Sequence, residues 1–392
     1  MPSFLHHHLH HGHPDEFTQI LRSRNLRAFG NSIATTFISL YLITTYGGLR
    51  EALWPISVFV LSAYMLRVAL MPLFAEAVVR FGAKHVMAAS YLLSAAALLM
   101  VAFLQTNVWW IAAFGLLVAL GNGMFFIAYH IDLALTLNRG NSVKHGVGSV
   151  QMVRKVSLAL GPLVGGIIAT QVDEKSLFLL AAAITGSAAV ALYLGDDDVV
   201  SHRTKLKFNA KKFYRKHRKA LVASFGMGVN SGAAMFLWSI LLFVVIGTYQ
   251  AVGVVVAASL ILSLVVITIN RRHESFDSDN KEIKGGSRAT AAIHVARPFA
   301  DTATLATGVS FFNDLAYTLL FVPYVDRYYK QIRSGDGLTF VAAMEAMVCI
   351  GRIINWFSFV ILFLLFGQFW GFFGAFMFAS VSTLFIQMIN QD

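Results

Sequence analysis

Long apolar segments separated by short polar ones cover most of this chain of 392 residues. Each apolar segment has roughly 20 residues or somewhat more, the length that an α-helix needs to cross the hydrocarbon core of a bilayer. The pattern therefore predicts a series of membrane-spanning helices. The predicted spans are 27–47, 53–80, 85–105, 108–137, 147–171, 175–195, 220–247, 250–270, 288–304, 306–329, 338–366 and 368–389.

A long basic linker lies between the sixth and the seventh predicted span and divides them equally. This layout is typical of transporters built from two halves, so the predicted fold is an all-α membrane protein with twelve transmembrane helices in two six-helix bundles. The predicted units are a His-rich tail (1–19), an N-terminal bundle (20–195), the linker (196–219) and a C-terminal bundle (220–392).

The composition supports a membrane protein and argues against an enzyme. Apolar residues make up 57% of the chain and charged residues 13%, whereas soluble proteins carry about a quarter charged residues. The lone Cys349 excludes a disulfide framework and a cysteine-based metal site. No phosphate-binding loop, zinc-protease motif or nucleophile elbow is present in the sequence. We therefore predict no catalytic residues, no cofactor and no resident metal.

The distribution of Lys and Arg predicts the orientation. With the N-terminus inside, 24 of the 31 fall in inner segments, and only Arg50 and Lys175 fall in outer ones. This bias predicts that both termini and the linker lie in the cytoplasm. The membrane expected for the leading hypothesis is a prokaryotic cytoplasmic (inner) membrane. It also accounts for the net charge of +11 without nucleic acid. The linker run 211–219 is either an amphipathic helix on anionic headgroups or a solvated loop. The N-terminus lacks the pattern of a cleavable signal peptide.

Two motifs carry a family resemblance. The fifth span contains a run of small residues around a proline, and the loop after the second span pairs basic residues with a glycine. The first resembles the G/S-x-x-x-G-P-x-x-G-G motif of the major facilitator superfamily, and the second resembles that family's G-x-x-x-D-R-x-G-R/K-R/K loop. The matching residues are Gly161, Pro162, Gly165 and Gly166 in the helix and Arg80, Gly82 and Lys84 in the loop.

The resemblance implies a central cavity between two bundles, alternating access, and a path lined by the first, fourth, seventh and tenth helices. The loop departs from the family pattern at Ala75, where glycine is usual, and at Val79, where an acid is usual. Because that acid helps to latch the two halves in the family, the latch of this chain is weakened or built differently. The fourth helix also lacks the arginine of the family pattern, which counts against a standard drug–proton antiporter.

Charged residues inside the spans are costly in hydrocarbon and are therefore functional candidates. Asp314 is the candidate for a protonatable coupling residue in the tenth span. Glu345 and Arg352 are seven residues apart and share a helix face. Arg67 and Arg352 each bind either an anionic group or an acid across the bundle. The polar residues near the predicted path are Asn31, Asn122 and Asn230.

Two further groups are predicted to be structural or to form a gate. His130 and Asp132 in the fourth span face Arg154 and Lys155 in the fifth if consecutive helices are neighbours, which predicts a cytoplasmic cluster. In the ninth span, helical spacing places His294, Arg297 and Asp301 on one face, with Pro298 bending the helix. These three residues are predicted to form an inward structural network.

The leading functional hypothesis is a secondary transporter of a small organic or anionic solute, with proton coupling through Asp314 or Glu345 as an option. Its predicted partners are the solute or ion and the lipid bilayer, and it is predicted to be a monomer. A divalent metal exporter is the second hypothesis. A non-transporting sensor or lipid-handling protein with the same fold is the third. The candidate metal ligands are the His-rich tail, His130, Asp132, His294, Asp301 and Asp314.

Overall fold

The computed structural model describes residues 16–136, 143–193, 210–270, 280–332 and 337–390, and these contain helices and no strand. The His-rich tail up to residue 15 and the linker up to residue 209 lie outside the described residues. The helices are α1 (Glu16–Thr35), α2 (Ile38–Thr45), α3 (Leu49–Val60), α4 (Leu66–Phe81), α5 (Ala83–Ala102), α6 (Val108–Thr136), α7 (Val143–Gln171), α8 (Glu174–Tyr193), α9 (Ala210–Ser231), α10 (Trp238–Ile246), α11 (Tyr249–Asn270), α12 (Asn280–Ala296), α13 (Ala303–Ile332), α14 (Gly337–Phe366) and α15 (Gln368–Leu384).

Within the described part of the chain, nine helical segments are long and apolar enough to cross a membrane. Three of the predicted spans are not among them. The first predicted span is interrupted between α1 and α2. The fifth predicted span contributes only the shorter apolar stretch Lys155–Gln171. The ninth predicted span is polar, and its helix ends early at Ala296. Sequence and structure therefore agree on an apolar helical membrane protein but differ at these three positions.

Two of the long helices contain a π-helical turn in the middle. Leu61–Met65 joins α3 to α4, and Gly232–Leu237 joins α9 to α10. Such turns are rare and are frequently found at functional sites, because the wider turn frees backbone groups and redirects side chains. Both turns pack against α14. Helix α14 therefore contacts the irregular part of both neighbours.

The helices of each half of the chain pack mainly on one another. In the N-terminal half (α1–α8), α1 packs on α7 and α8, and α5 packs on α6 and α8. In the C-terminal half (α9–α15), α9 packs on α14 and α15, and α12 packs on α13 and α15. The main contacts between the halves are made by α7 with α11 and by α4 with α14.

Glycines bring α7 close to its neighbours. A Cβ on Gly161 would collide with Ser32 of α1, whose hydroxyl donates to the carbonyl of Ser157 at 2.9 Å. A Cβ on Gly166 would meet the carbonyl of Tyr249, and a Cβ on Gly253 would collide with the carbonyl of Pro162. Small residues permit such approach of backbones in a membrane. The motif in the fifth predicted span therefore packs α7 against α1 on one side and α11 on the other.

The basic linker ends in a helix. Residues 210–219 form the first turns of α9, which continues into the seventh predicted span. This part of the linker is therefore helical, which the interpretation as an amphipathic helix required and the interpretation as a loop did not.

Gly82 has a φ of +82° at the junction of α4 and α5, a conformation that glycine adopts without strain.

Candidate functional site

Glu345 of α14 forms an ion pair with Arg67 of α4 and so links the two halves of the chain. Arg67 is 2% exposed and Glu345 is 8% exposed, so the pair is withdrawn from solvent. The guanidinium of Arg67 also lies 4.8 Å from the ring centroid of Phe126. Because the carboxylate of Glu345 neutralises the guanidinium of Arg67, Arg67 is not available to an anionic solute in this conformation.

A second basic residue of the N-terminal half approaches the same carboxylate. His130 Nε2 of α6 lies 3.6 Å from Glu345 Oε1, and its Nδ1 lies 2.9 Å from the hydroxyl of Tyr329 of α13. We call Arg67, His130, Tyr329 and Glu345 the Glu345 cluster. It joins α4 and α6 to α13 and α14, so the two halves cannot separate at this level without breaking it.

Arg352 lies near the middle of α14, two turns from Glu345. Its Nε donates to the hydroxyl of Ser231 at 2.9 Å, and its guanidinium lies 5.4 Å from the ring centroid of Tyr64. No carboxylate of the described residues lies within 4.0 Å of it. Tyr64 belongs to one π-helical turn and Ser231 precedes the other. Arg352 is thus a partly exposed cation between two irregular turns.

Asp314 belongs to a different contact between the halves. Its Oδ2 accepts from the hydroxyl of Ser259 at 2.8 Å, and its carbonyl accepts from Thr318 at 2.6 Å. Lys155 of α7 donates to Thr318 and lies 3.5 Å from the hydroxyl of Ser263. This group joins α7 to α11 and α13, and the positive charge of Lys155 acts on Asp314.

The described contacts of His130 and Lys155 differ from the predicted meeting of the fourth and fifth spans. His130 faces α13 and α14, whereas the contacts described for Lys155 lead to α11 and α13. Helix α7 packs mainly on α1 and α11, with smaller contacts to α8 and α13. Asp132 is half-buried, and the side chain of Arg154 lies outside the described residues.

The structure buries two of the three ninth-span residues side by side and places the third at the surface. His294 and Arg297 are fully buried and 3.0 Å apart between Nδ1 and Nη1, and His294 Nε2 lies 2.8 Å from Asn230 Oδ1. Asp301 is exposed and lies outside the helix, because α12 ends at Ala296 and continues only as a 3-10 turn that contains Pro298. Asn230 therefore belongs to this inward network.

The other two asparagines also have partners inside their own half. Asn122 Oδ1 accepts from Arg27 Nη2 at 2.9 Å, and Asn31 Oδ1 lies 3.5 Å from the hydroxyl of Thr185. Arg24 and Arg27 lie at or just before the start of the first predicted span and count among the inner basic residues, yet each is only 5% exposed. The feature of the sequence that could have indicated their burial together is their spacing of three residues, which puts both on one helix face.

The candidate metal ligands do not come together. His130 contacts Glu345 and Tyr329, His294 contacts Asn230 and Arg297, and Asp301 is exposed. No group of three or more His, Cys, Asp or Glu residues in the described part of the chain could hold a metal ion.

In the loop motif between α4 and α5, the guanidinium of Arg80 lies 5.3 Å from the ring of Phe81, and Lys84 is half-buried.

Comparisons with known proteins agree with this architecture. Residues 23–213 match the model of the Major Facilitator Superfamily. No curated protein matches the sequence. The solved structure of the human organic anion transporter MFSD10 (TETRAN) is similar with a TM-score of 0.71 at 10% identity, covering 96% of this chain and 100% of that one. The solved structure of the nucleoside transporter NupG is similar with a TM-score of 0.65 at 14% identity, covering 97% of this chain and 100% of that one.

A mutant of the same nucleoside transporter has a TM-score of 0.69 at 14% identity, covering 96% of this chain and 100% of that one. These structural similarities show a shared fold along almost the whole chain, and the sequence match covers the N-terminal half. With the glycine-proline motif of α7, they make the chain similar to transporters of the Major Facilitator Superfamily, in sequence over residues 23–213 and in fold over nearly its whole length.

Proposed function

We propose that this protein is a secondary transporter that moves a small organic anion across the cytoplasmic membrane by alternating access. The observation that carries the proposal is Arg352, a partly exposed cation near the middle of α14 with a hydroxyl and an aromatic ring as its partners. A charge at such a depth is costly unless it is neutralised, which an anionic solute would do.

The charge balance around Arg352 favours one negative charge on the solute. Arg67 and Glu345 neutralise each other within their ion pair. Arg352 then leaves one positive charge. The similarity in fold to an organic anion transporter and to a nucleoside transporter is compatible with organic solutes, although the fold alone specifies none.

The helices fit a transporter with twelve spans if the interrupted helices are joined. In this arrangement α1 with α2, α3 with α4, and α9 with α10 each make one span, and the other nine α-helices make one each. Residues 20–195 and 220–392 then form the two bundles around the path. The bias of Lys and Arg supports cytoplasmic termini, and we propose a monomer as the transporting unit.

The two contacts between the halves supply a mechanism for the alternation. Opening towards the cytoplasm requires Glu345 to leave Arg67 and His130, and protonation of Glu345 would remove the charge that holds them. We therefore assign proton coupling to Glu345 ahead of Asp314, because Glu345 directly contacts two basic side chains of the opposite half. The Glu345 cluster also takes the place of the cytoplasmic latch of the family, whose usual acid is Val79 in the loop of this chain.

The test is uptake of organic anions into liposomes that contain the purified protein, driven by a proton or solute gradient. Arg352→Gln is expected to reduce uptake by about 10- to 100-fold, the range that one charged hydrogen bond provides. Arg50→Gln, which removes an exposed arginine at the start of α3, is the matched control and should transport like the wild type.

Full anion uptake by Arg352→Gln would contradict the assignment of the binding residue. Cations, nucleosides and divalent metals are included as alternative solutes in the same assay. If no gradient drives flux of any solute through the wild-type protein, the alternative of a sensor or lipid-handling protein replaces transport.

A further inference from the structure

An open groove lies on the surface of the N-terminal half, where α1, α7 and α8 meet. Its volume is about 500 Å³, within the range of ligand sites in proteins. The helical spacing of the lining residues of α1 places them on one face of that helix. The lining residues are Arg22, Asn25, Leu26 and Phe29 of α1, Val156, Ser157 and Leu160 of α7, and Ala191 of α8. The groove shares no residue with the Glu345 cluster or with the surroundings of Arg352.

The polarity of the groove changes along its length. Arg22 is exposed, and Phe29 lies about 10 Å further along α1, since each helical residue adds 1.5 Å. On the α7 side, Val156 is 47% exposed and Leu160 is 43% exposed, and both belong to the apolar stretch Lys155–Gln171. The groove therefore combines a cation near the start of α1 with apolar side chains that water covers unfavourably.

The polar groups of the groove have capacity for a ligand. No carboxylate of the described residues lies within 4.0 Å of Arg22. Asn25 follows one turn later, and its Oδ1 is buried without a hydrogen-bond partner. Because no hydrogen bond holds that oxygen in place, the amide can turn its N–H group towards a ligand in the groove. One positive charge and one amide are thus available together.

We propose that this groove binds one phospholipid with a net negative headgroup, of the phosphatidylglycerol class, as a resident lipid of the N-terminal half. The lipid phosphate pairs with the guanidinium of Arg22 and accepts a hydrogen bond from the amide of Asn25. An acyl chain covers the apolar side chains of the groove. This lipid is not the transported solute, and the proposal stands whether or not the protein transports an organic anion.

The two ends of the groove decide between the possible ligands. A water-soluble anion would pair with Arg22 but would leave Val156 and Leu160 uncovered, whereas an acyl chain without a phosphate would leave Arg22 unpaired. Phosphatidylcholine carries a positive choline beside its phosphate, which would repel Arg22. Basic segments at a membrane surface attract anionic lipids, and Arg22 belongs to such a segment together with Arg24 and Arg27.

The experiment measures the melting temperature of the purified full-length protein in detergent with added dioleoyl phosphatidylglycerol or dioleoyl phosphatidylcholine. The two lipids have the same acyl chains, so a difference between them reports the headgroup. A ligand that binds only the native state raises the melting temperature. We expect a saturable increase with phosphatidylglycerol and a much smaller one with phosphatidylcholine. Native mass spectrometry should show one phosphatidylglycerol retained per chain. Equal increases with the two lipids would overturn the proposal.

Two pairs of variants connect the response to the groove. R22Q should shift the response to about 10-fold higher phosphatidylglycerol concentration, the effect of losing one charged hydrogen bond. R288Q removes an exposed arginine of α12 in the other half and should respond like the wild type. L160W should weaken the response by filling the apolar part of the groove, and L262W, at a 49% exposed position of α11, should not.

The variants also separate a defined site from diffuse attraction to a basic surface. Equal weakening in R22Q and R288Q would mean that only the overall positive charge attracts the lipid, and the groove would not be its site. An unchanged response in both R22Q and L160W would lead to the same conclusion.

Discussion

Glu345→Gln is expected to abolish the pH dependence of transport and to lower the free energy of unfolding by about 3–5 kcal/mol, the cost of breaking a buried ion pair. The reason is that the substitution leaves Arg67, which is 2% exposed, without its negative partner. Glutamine also resembles the protonated carboxyl, so the cluster can no longer respond to protons. Uptake at a series of pH values and unfolding in detergent measure the two effects.

The direction of the pH effect follows from the contacts. Under the proposed coupling, a falling pH would place a proton on Glu345 and remove the charge that attracts Arg67. We therefore expect acid to favour the conformation that is open on the side of the Glu345 cluster. The Glu345→Gln variant should favour this open conformation at every pH. A cysteine placed on the cytoplasmic side of α4 should then react faster with a water-soluble thiol reagent than in the wild type.

Two variants serve as controls for Glu345. Arg67→Gln combined with Glu345→Gln should recover most of the lost stability, because no unpaired charge remains. Asp314→Asn should retain the pH dependence, since Asp314 hydrogen-bonds Ser259 and lies in the other contact between the halves. If Asp314→Asn loses the pH dependence while Glu345→Gln keeps it, the coupling residue is Asp314, as the sequence analysis expected.

The sequence predicted the local features of the fold well. Apolar length is a property of a single segment, so the nine described segments that are long and apolar enough to cross a membrane could be located without knowing their neighbours. The glycines of α7 were likewise recognisable because their spacing is local, and the structure places them in close helix contacts. The presence of an anomaly in the ninth span was also visible from its polarity and from Pro298.

The pairing of charges could not be predicted, because it depends on which helices meet. Arg67 and Glu345 are 278 positions apart, and the sequence offered Arg67 only an anionic group or an unspecified acid across the bundle. The assumption that consecutive spans are neighbours did not predict that His130 contacts Glu345 of the other half. Helical spacing failed at Asp301 because the helix ends before it. Pattern analysis thus identified the charged residues but not their contacts.

Gly253→Ala is the second substitution with a large expected effect, although it adds a single methyl group. The new Cβ would collide with the carbonyl oxygen of Pro162 and lie 3.4 Å from Gly166 Cα. These are backbone atoms of α7, which cannot move aside as a flexible side chain would. We expect a loss of about 1–3 kcal/mol in stability from overpacking, and a larger loss of transport because the contact between the halves is displaced.

Gly308→Ala is the matched control for this prediction. Gly308 lies within α13, and an added Cβ would meet no atom within 4 Å. The exchange should therefore leave transport unchanged and raise stability by up to about 1 kcal/mol, because alanine favours the helix over glycine. Unfolding in detergent and uptake into liposomes should be measured for both variants. Wild-type behaviour of Gly253→Ala in both assays would show that α7 and α11 need not approach so closely, and the alternation between halves would then have to pivot on the Glu345 cluster alone.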